Sequence, residues 1–176
     1  VPVALLCLFL FGLSYSINRR YASFVVNNLN PRYVDIREDI IGVFIVFLLF
    51  AAANWSITCL MEGEGRFRDI LIVVCYSLLP MILTLIPSTI LSWFIAADEE
   101  VIYSVIKTIS ALACAVLILI GIMVVHNYSF GKTIATLFLT FVALLIIIFI
   151  ILLLLSLIDQ IYIFLQSVYT ELILRT

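Results

Sequence analysis

Residues 62–80 of this chain read EGEGRFRDILIVVCYSLLP. The stretch begins as a short loop with charged residues at Glu62, Glu64, Arg66, Arg68 and Asp69, and it continues as an apolar segment that contains a proline. The sequence on both sides is largely apolar, so the loop is one of the few places where the chain can present charged groups to water. This pattern is typical of a connection between two helices of a membrane protein.

The composition of the chain identifies it as an integral membrane protein. Of its 176 residues, 66% are hydrophobic and 11% are charged, whereas roughly 25% of the residues in an ordinary soluble domain are charged. The mean hydropathy is +1.34. The formal net charge is -2 and the nine Lys and Arg residues are scattered along the chain, so the sequence indicates no nucleic-acid partner.

Five apolar segments are long enough to cross a membrane, since about 20 apolar residues span about 30 Å of hydrocarbon. The chain is therefore predicted to be all-α: a polytopic integral membrane bundle of five transmembrane helices with a C-terminal amphipathic helical extension, in one domain over residues 1–176. Apolar residues at helical spacing, opposite a polar side, indicate the extension. The predicted spans cover residues 1–17, 40–61, 70–97, 101–125 and 134–157, and the C-terminal helix covers residues 160–174.

The predicted first span begins at Val1 because the given sequence begins there. The chain begins at Val1 without Met and without a basic segment before the first apolar run. We therefore expect no signal peptide, and we expect a polar N-terminal part to precede Val1.

Five spans put the two ends of the chain on opposite sides of the membrane, and they put the loops around Arg66 and Lys132 on the same side. A count of Lys and Arg in the loops, taken alone, would place the opposite side in the cytoplasm. The side of Arg66 carries Arg66, Arg68 and Lys132, and the other side carries Arg19, Arg20, Arg32, Arg37 and Arg175.

The third span contains two prolines, Pro80 and Pro87. Each removes a backbone donor and clashes with the preceding turn, so we expect this helix to bend or break near its middle. We expect it to lie inside the bundle, where hydroxyls such as those of Ser77 and Thr84 can satisfy backbone groups. A broken helix also leaves open a pathway for a solute.

No predicted span carries a charge near its centre, which disfavours a pump or an ion-coupled transporter. Lys107 lies at the entrance of the fourth span, where it could snorkel to the headgroups or pair with the acidic turn at residues 98–100. Asn54 and Trp55, near the end of the second span, are expected at interfacial depth.

The residues that carry chemistry form no legible catalytic or cofactor site. His126 is the single histidine, and Glu62 and Glu64 could approach it and provide two carboxylates for a metal. We interpret His126 instead as a solvated interfacial histidine, Gly63 and Gly65 as a tight turn, and the four cysteines as buried thiols. Since no Ser, His and Asp set is apparent, we predict no cofactor, no metal and no enzymatic activity.

A resemblance to the Yip (Ypt/Rab-interacting protein) domain family is carried by motifs in order, namely Asn54-Trp55, residues 63–69, the Tyr-Ser-Leu-Leu-Pro element at residues 76–80, and residues 128–132. It covers nearly the whole chain, and the two loop motifs are most similar to the prokaryotic branch. The resemblance implies five spans with both loops in the cytoplasm. Eukaryotic relatives act in vesicle traffic with small GTPases, whereas prokaryotic members are often encoded near transport systems, which suggests an accessory role in the plasma membrane.

The sequence therefore leads to a functional hypothesis of a non-enzymatic membrane adaptor that binds another membrane protein, such as a transporter subunit, or organises membrane lipids through its loops. Ordinary interfacial anchoring is the competing interpretation of the same residues. The alternative function is a permeation or transporter component built on the helix broken at Pro80 and Pro87. The candidate contact residues are Glu62, Glu64, Arg66, Phe67, Arg68, His126, Tyr128, Phe130 and Lys132.

Overall fold

A computed structural model describes residues 2–27 and 29–174, without the side chains of Ala97 and Leu172. Val1 and Arg175, which were used in the predicted span and in the charge count, lie outside the described residues. The described part consists of six α-helices and two short 3₁₀ turns, at Pro31–Tyr33 and Ala97–Glu99. The helices are α1 (Pro2–Tyr21), α2 (Ile36–Leu60), α3 (Phe67–Tyr76), α4 (Leu79–Leu91), α5 (Glu100–Val125) and α6 (Phe130–Leu174).

Within residues 2–27 and 29–174, five spans are long and apolar enough to cross a membrane: α1, α2, the α3–α4 pair, α5 and α6. This confirms the predicted all-α membrane bundle. Helix α1 runs four residues beyond the predicted end at Ile17, to Tyr21. The extra turn is tolerated because Asn18 and Arg19 find hydrogen-bond partners on other helices.

The predicted fifth span and the predicted C-terminal helix are one continuous helix. Helix α6 has 45 residues and does not end at Asp159 or Gln160. At about 1.5 Å per residue it is about 67 Å long, roughly twice the hydrocarbon thickness of a bilayer. All side chains of residues 151–171 are exposed, so the C-terminal part of α6 extends away from the other helices.

The third span is broken, but not at both prolines. Helix α3 ends at Tyr76 and α4 begins at Leu79, so the break lies at Ser77 and Leu78. Pro80 is the second residue of α4, a position where no backbone donor is needed. The expected break at Pro87 is wrong, because Pro87 lies inside α4, which continues to Leu91.

The broken span packs in the interior of the bundle. Cys75 and Leu78 are buried against Ala4 and Leu8 of α1, and on the other side of α3, Ile70 and Val74 are buried against Ala51 of α2. Helix α5 approaches α3 closely at Gly121, where a Cβ atom would collide with Cγ1 of Val73. The two short helices therefore pack against α1, α2 and α5, whereas α6 packs against α2 and α5.

Helices α2 and α6 meet through small and polar side chains. Thr133, Thr136 and Thr140 are fully buried at helical spacing on α6, and Thr140 Oγ1 accepts a hydrogen bond of 3.0 Å from Asn54 Nδ2. Small and hydroxylated residues allow transmembrane helices to approach closely. The side chain of Asn54 is fully buried between the two helices, and its interfacial depth stays a prediction.

Three of the four cysteines are buried, as predicted, whereas Cys59 near the end of α2 is exposed. The sequence did not distinguish Cys59, because the exposed side of a membrane helix is as apolar as its buried side.

Candidate functional site

The α2–α3 and α5–α6 connections meet at one end of the bundle, and both begin with the same kind of helix cap. The residue after each cap has a positive φ, which is 56° at Glu62 and 51° at Asn127. Two residues beyond each cap, the backbone N–H bonds back to the helix: Gly63 N–H to Thr58 O at 2.8 Å, and Tyr128 N–H to Met123 O at 3.0 Å. The left-handed residue turns the chain sharply and satisfies carbonyls of the last turn.

His126 lies beneath the α2–α3 loop and is only 1% exposed. The backbone of the loop passes directly over its ring: a Cβ atom at Gly63 would lie 2.5 Å from His126 Cδ2, and one at Gly65 would lie 2.6 Å from His126 Cε1. Neither glycine has a positive φ. The interpretation of the two glycines as the residues that make the turn is therefore wrong, and they are required for close approach to the ring. The interpretation of His126 as solvated is wrong as well.

Tyr128 and Asn127 fasten the two connections to each other. The hydroxyl of Tyr128 donates to the carbonyls that end α2, at 3.1 Å to Met61 O and 3.4 Å to Thr58 O. Asn127 Nδ2 donates to Glu64 Oε2 at 2.7 Å. These bonds hold residues 61–66 in one position relative to the start of α6.

Four ring side chains and one cation complete the packing around this junction. The rings of His126 and Tyr128 have centroids 5.3 Å apart. The ammonium of Lys132 lies 4.3 Å from the centre of the Tyr128 ring, a favourable cation–π contact. Phe67 is half-buried and meets the indole of Trp55 edge-on at 6.0 Å.

Burial controls the protonation of the two buried ring side chains. Burial lowers the pKa of His126 below its ordinary value of 6.5, and the nearby positive charge of Lys132 lowers it further. Burial likewise raises the pKa of Tyr128 above its ordinary value of 10.0, with smaller contributions from Cys59 and Glu62. Both rings are therefore neutral at pH 7.

The nine candidate contact residues fall into two groups. Glu62, Glu64, Arg66, Arg68 and Phe130 are exposed, and we call these five side chains the paired-loop surface. The other four hold the junction together instead: His126 and Tyr128 are buried, and Phe67 and Lys132 are half-buried against aromatic rings.

The guanidinium groups of the paired-loop surface are not neutralised by neighbouring acids. Across residues 2–27 and 29–174, Arg19 and Asp39 form the only ion pair, so neither Arg66 nor Arg68 is paired. The backbone N–H of Arg66 donates to Asp69 Oδ2 at 3.3 Å, which caps the start of α3. The backbone of Arg66 is thus fixed while its side chain remains available.

The junction does not assemble a metal site. Within the described part of the chain, no group of three His, Cys, Asp or Glu residues is close enough to hold a metal ion. His126 faces the loop backbone, whereas Glu62 and Glu64 are exposed on the outside of the loop.

A second polar cluster, which the sequence pattern did not indicate, lies at the opposite end of the bundle. Among the described residues Lys107 forms no ion pair with the acidic turn, and its ammonium donates to Asn18 Oδ1 at 3.0 Å. Asn18 is 4% exposed and also contacts Thr89 and Tyr103. The signal in the sequence was Asn18 itself, a polar residue that was taken to end the first span and is instead part of it.

Comparison with known proteins gives one family. The model of the Yip1 domain matches residues 1–157, which cover α1 to α5 and much of α6. No curated protein and no solved structure matches the chain.

Proposed function

We propose that this chain, which belongs to the Yip1 domain family, is a non-enzymatic membrane adaptor whose paired-loop surface binds an acidic segment of another membrane protein. The observation that carries the proposal is the unpaired state of Arg66 and Arg68 on an exposed loop. A guanidinium presents five donors in a rigid plane, which suits a carboxylate partner.

The backbone of the loop that carries Arg66 and Arg68 is held in place, and this supports a role in recognition. The backbone of the α2–α3 loop is held at both ends, by the cap at Glu62 and the Tyr128 hydroxyl at one end and by the Asp69 carboxylate on the Arg66 N–H at the other. A loop that is already ordered loses little conformational entropy when a partner binds. Phe130 is 61% exposed on the same end of the bundle and supplies an aromatic anchor, a residue type that is common at binding hot spots.

Glu62 and Glu64 differ from the two arginines in their contacts. One carboxylate oxygen of Glu64 accepts a hydrogen bond from Asn127, which holds this carboxylate towards the α5–α6 connection. The two arginines make no comparable contact with an acid. Electrostatic attraction to an acidic segment therefore arises chiefly from Arg66 and Arg68.

The packing of the broken third span favours an adaptor over a permeation component. Leu78, which lies in the break, and Cys75, near the end of α3, are buried against Ala4 and Leu8. The break is thus filled by apolar side chains, whereas a transport site at a broken helix exposes polar backbone to a cavity.

The proposal is tested by affinity purification from native membranes with chemical crosslinking and mass spectrometry. The double variant Arg66→Glu and Arg68→Glu should reduce recovery of the partner by about tenfold or more, because reversing a charge at an interface costs several kcal/mol. The matched control is Arg32→Glu with Arg37→Glu, two exposed arginines at the opposite end of the bundle. An unchanged set of partners in the first variant would reject the proposal, as would an equal loss in the control.

We further propose that the paired-loop surface is cytoplasmic and that the protein resides in the plasma membrane of a prokaryote, with a transporter subunit as the partner. The side is tested with an impermeant maleimide on intact cells, in a Cys59→Ser background that removes the one exposed native thiol. A cysteine placed at Glu64 should be protected in intact cells and labelled after lysis. A cysteine placed at Arg32 should be labelled in intact cells, and the reverse pattern would show the opposite orientation.

A further inference from the structure

A small cavity lies at the end of the bundle opposite the paired-loop surface. Its volume is about 210 Å³, and it lies between the end of α1, the segment that follows α1, and the start of α5. Six polar or charged side chains line it, namely Tyr15, Asn18, Arg19, Asn27, Tyr103 and Lys107. The cavity therefore offers several polar groups and two cations at the edge of an otherwise apolar bundle.

The ammonium of Lys107 has only neutral partners. It donates to Asn18 Oδ1 at 3.0 Å and to the Tyr103 hydroxyl at 3.4 Å, and it lies 5.0 Å from the centre of the Tyr103 ring. Among the residues that the structure describes, no carboxylate pairs with it. An ammonium has three donors, so one N–H is left for a further acceptor.

The second cation of the cavity is already neutralised. Arg19 forms an ion pair with Asp39 of α2. The charged lining residues and this ion-pair partner therefore leave an excess of one positive charge, on Lys107. A charge within a membrane span is costly, and it is usually retained where it serves a site and has a counter-charge.

The position of Lys107 is fixed by hydrogen bonds among its neighbours. Asn18 is 4% exposed, and its Nδ2 donates to Thr89 Oγ1 at 2.8 Å and to the Tyr103 hydroxyl at 3.0 Å. These bonds fix the side-chain amide so that its oxygen faces Lys107. Three helices, α1, α4 and α5, thus cooperate to hold one ammonium at the cavity.

We propose that this cavity binds a phosphate group, with the Lys107 ammonium as its counter-charge. A lysine ammonium is a compact point charge that suits phosphate. Lys107 lies two turns inside α5, close to the membrane surface, so the phosphate comes either from an anionic lipid headgroup or from free phosphate in solution.

The test uses the purified full chain in a neutral detergent and follows its melting temperature. One arm adds dihexanoyl phosphatidylglycerol, a second adds dihexanoyl phosphatidylcholine, and a third adds sodium phosphate. A rise with phosphatidylglycerol but not with phosphate identifies the lipid as the source, and a rise with phosphate identifies the free anion. No rise with either anion, or an equal rise with phosphatidylcholine, overturns the proposal.

Two variants test the role of Lys107. Lys107→Gln removes the charge and should weaken the apparent affinity for the effective anion by about tenfold or more, which corresponds to about 1.4 kcal/mol. The control is Arg37→Gln, an exposed cation at the same end of the bundle, and it should leave the affinity unchanged. Equal weakening in both variants, or in neither, rejects the site.

Asn18→Asp keeps the proposal testable if Lys107→Gln does not fold. A carboxylate in place of the Asn18 amide would lie about as close to the ammonium as the present amide oxygen, which is 3.0 Å away. It would supply the missing counter-charge from within the protein, so the response to the anion should be lost. An Asn18→Asp protein that binds the anion as well as the wild type does would contradict the proposal.

Discussion

The backbone of Gly65 lies against the imidazole of His126 so closely that a Cβ atom on the glycine would be 2.6 Å from His126 Cε1 and 2.8 Å from His126 Nδ1. Real Cβ contacts at such distances do not occur without movement of one partner. The α2–α3 loop can therefore cover the ring only because residue 65 has no side chain. Gly65 and His126 are 61 residues apart in sequence. The geometry of the paired-loop surface depends on the contact between them.

Replacement of Gly65 by alanine should destabilise the junction. The new methyl group would collide with His126 and with Cγ1 of Val125, at 2.5 Å, and overpacking of this kind costs about 1–3 kcal/mol. Thermal melting of the purified protein measures the change in the free energy of unfolding. The matched control is Gly131→Ala, where the methyl group would meet nothing within 4 Å and should be neutral or slightly stabilising. Similar melting temperatures for both variants would contradict the close-approach role.

Replacement of Glu62 by glycine should stabilise the protein. Glu62 has a φ of 56°, a left-handed conformation that costs a residue with a Cβ about 1 kcal/mol and costs glycine little. Denaturation in detergent should give a higher free energy of unfolding for Glu62→Gly. Glu62→Ala separates the two effects of the change, since it removes the charge but keeps the Cβ, and it should give no gain. A gain of equal size in the alanine variant would assign the effect to charge and not to the backbone.

Acidification should loosen the junction through His126. The pKa of His126 in the folded protein is lowered by burial and by Lys132, whereas in the unfolded chain it keeps its ordinary value of about 6.5. Below pH 6.5 the unfolded chain therefore binds a proton that the folded protein resists, and stability falls as the pH drops towards the lowered value. The carboxylates of Glu62 and Glu64 are exposed and do not compensate for a buried imidazolium.

The pH effect is measured by amide hydrogen exchange of residues 62–66 at pH 7.5 and pH 5.5, after correction for the intrinsic rates. Protection should be lower at pH 5.5 in the wild type. In His126→Gln, which cannot titrate, protection should change far less with pH. Equal losses of protection in both proteins would assign the effect to other groups.

The helices of this fold were predictable because length and hydrophobicity alone decide whether a segment can span a membrane. Hydrophobicity does not report which side of a helix faces other helices, because lipid and protein interior are equally apolar. For this reason the burial of Asn54 against α6 was not expected from the sequence. The break at Ser77 and Leu78 was expected in the right region, whereas Pro87 was accommodated within α4.

The candidate site was predictable in its location but not in the roles of its residues. Two loops that share a face must lie at the same end of the bundle, which brought Arg66 and His126 together in the sequence analysis. Whether a side chain points outward or inward depends on tertiary contacts that leave no local pattern. His126 and Tyr128 were taken as surface residues, and both are buried because the α2–α3 loop folds over them. The two glycines in the loop were the signal for that close approach.

The hydrogen bond between Asn54 and Thr140 should contribute measurably to the packing of α2 against α6. Thr140→Val keeps the volume of the side chain but removes the acceptor for Asn54 Nδ2, now at 3.0 Å. The amide would then be buried without a partner, which costs about 1–3 kcal/mol. Thr108→Val is the control, because Thr108 also lies in a span and donates to the carbonyl four residues before it, at 2.8 Å, but is exposed. Thermal melting should show a clear loss for Thr140→Val and almost none for Thr108→Val, and equal losses would mean that the intrahelical bond, and not the contact between helices, stabilises the bundle.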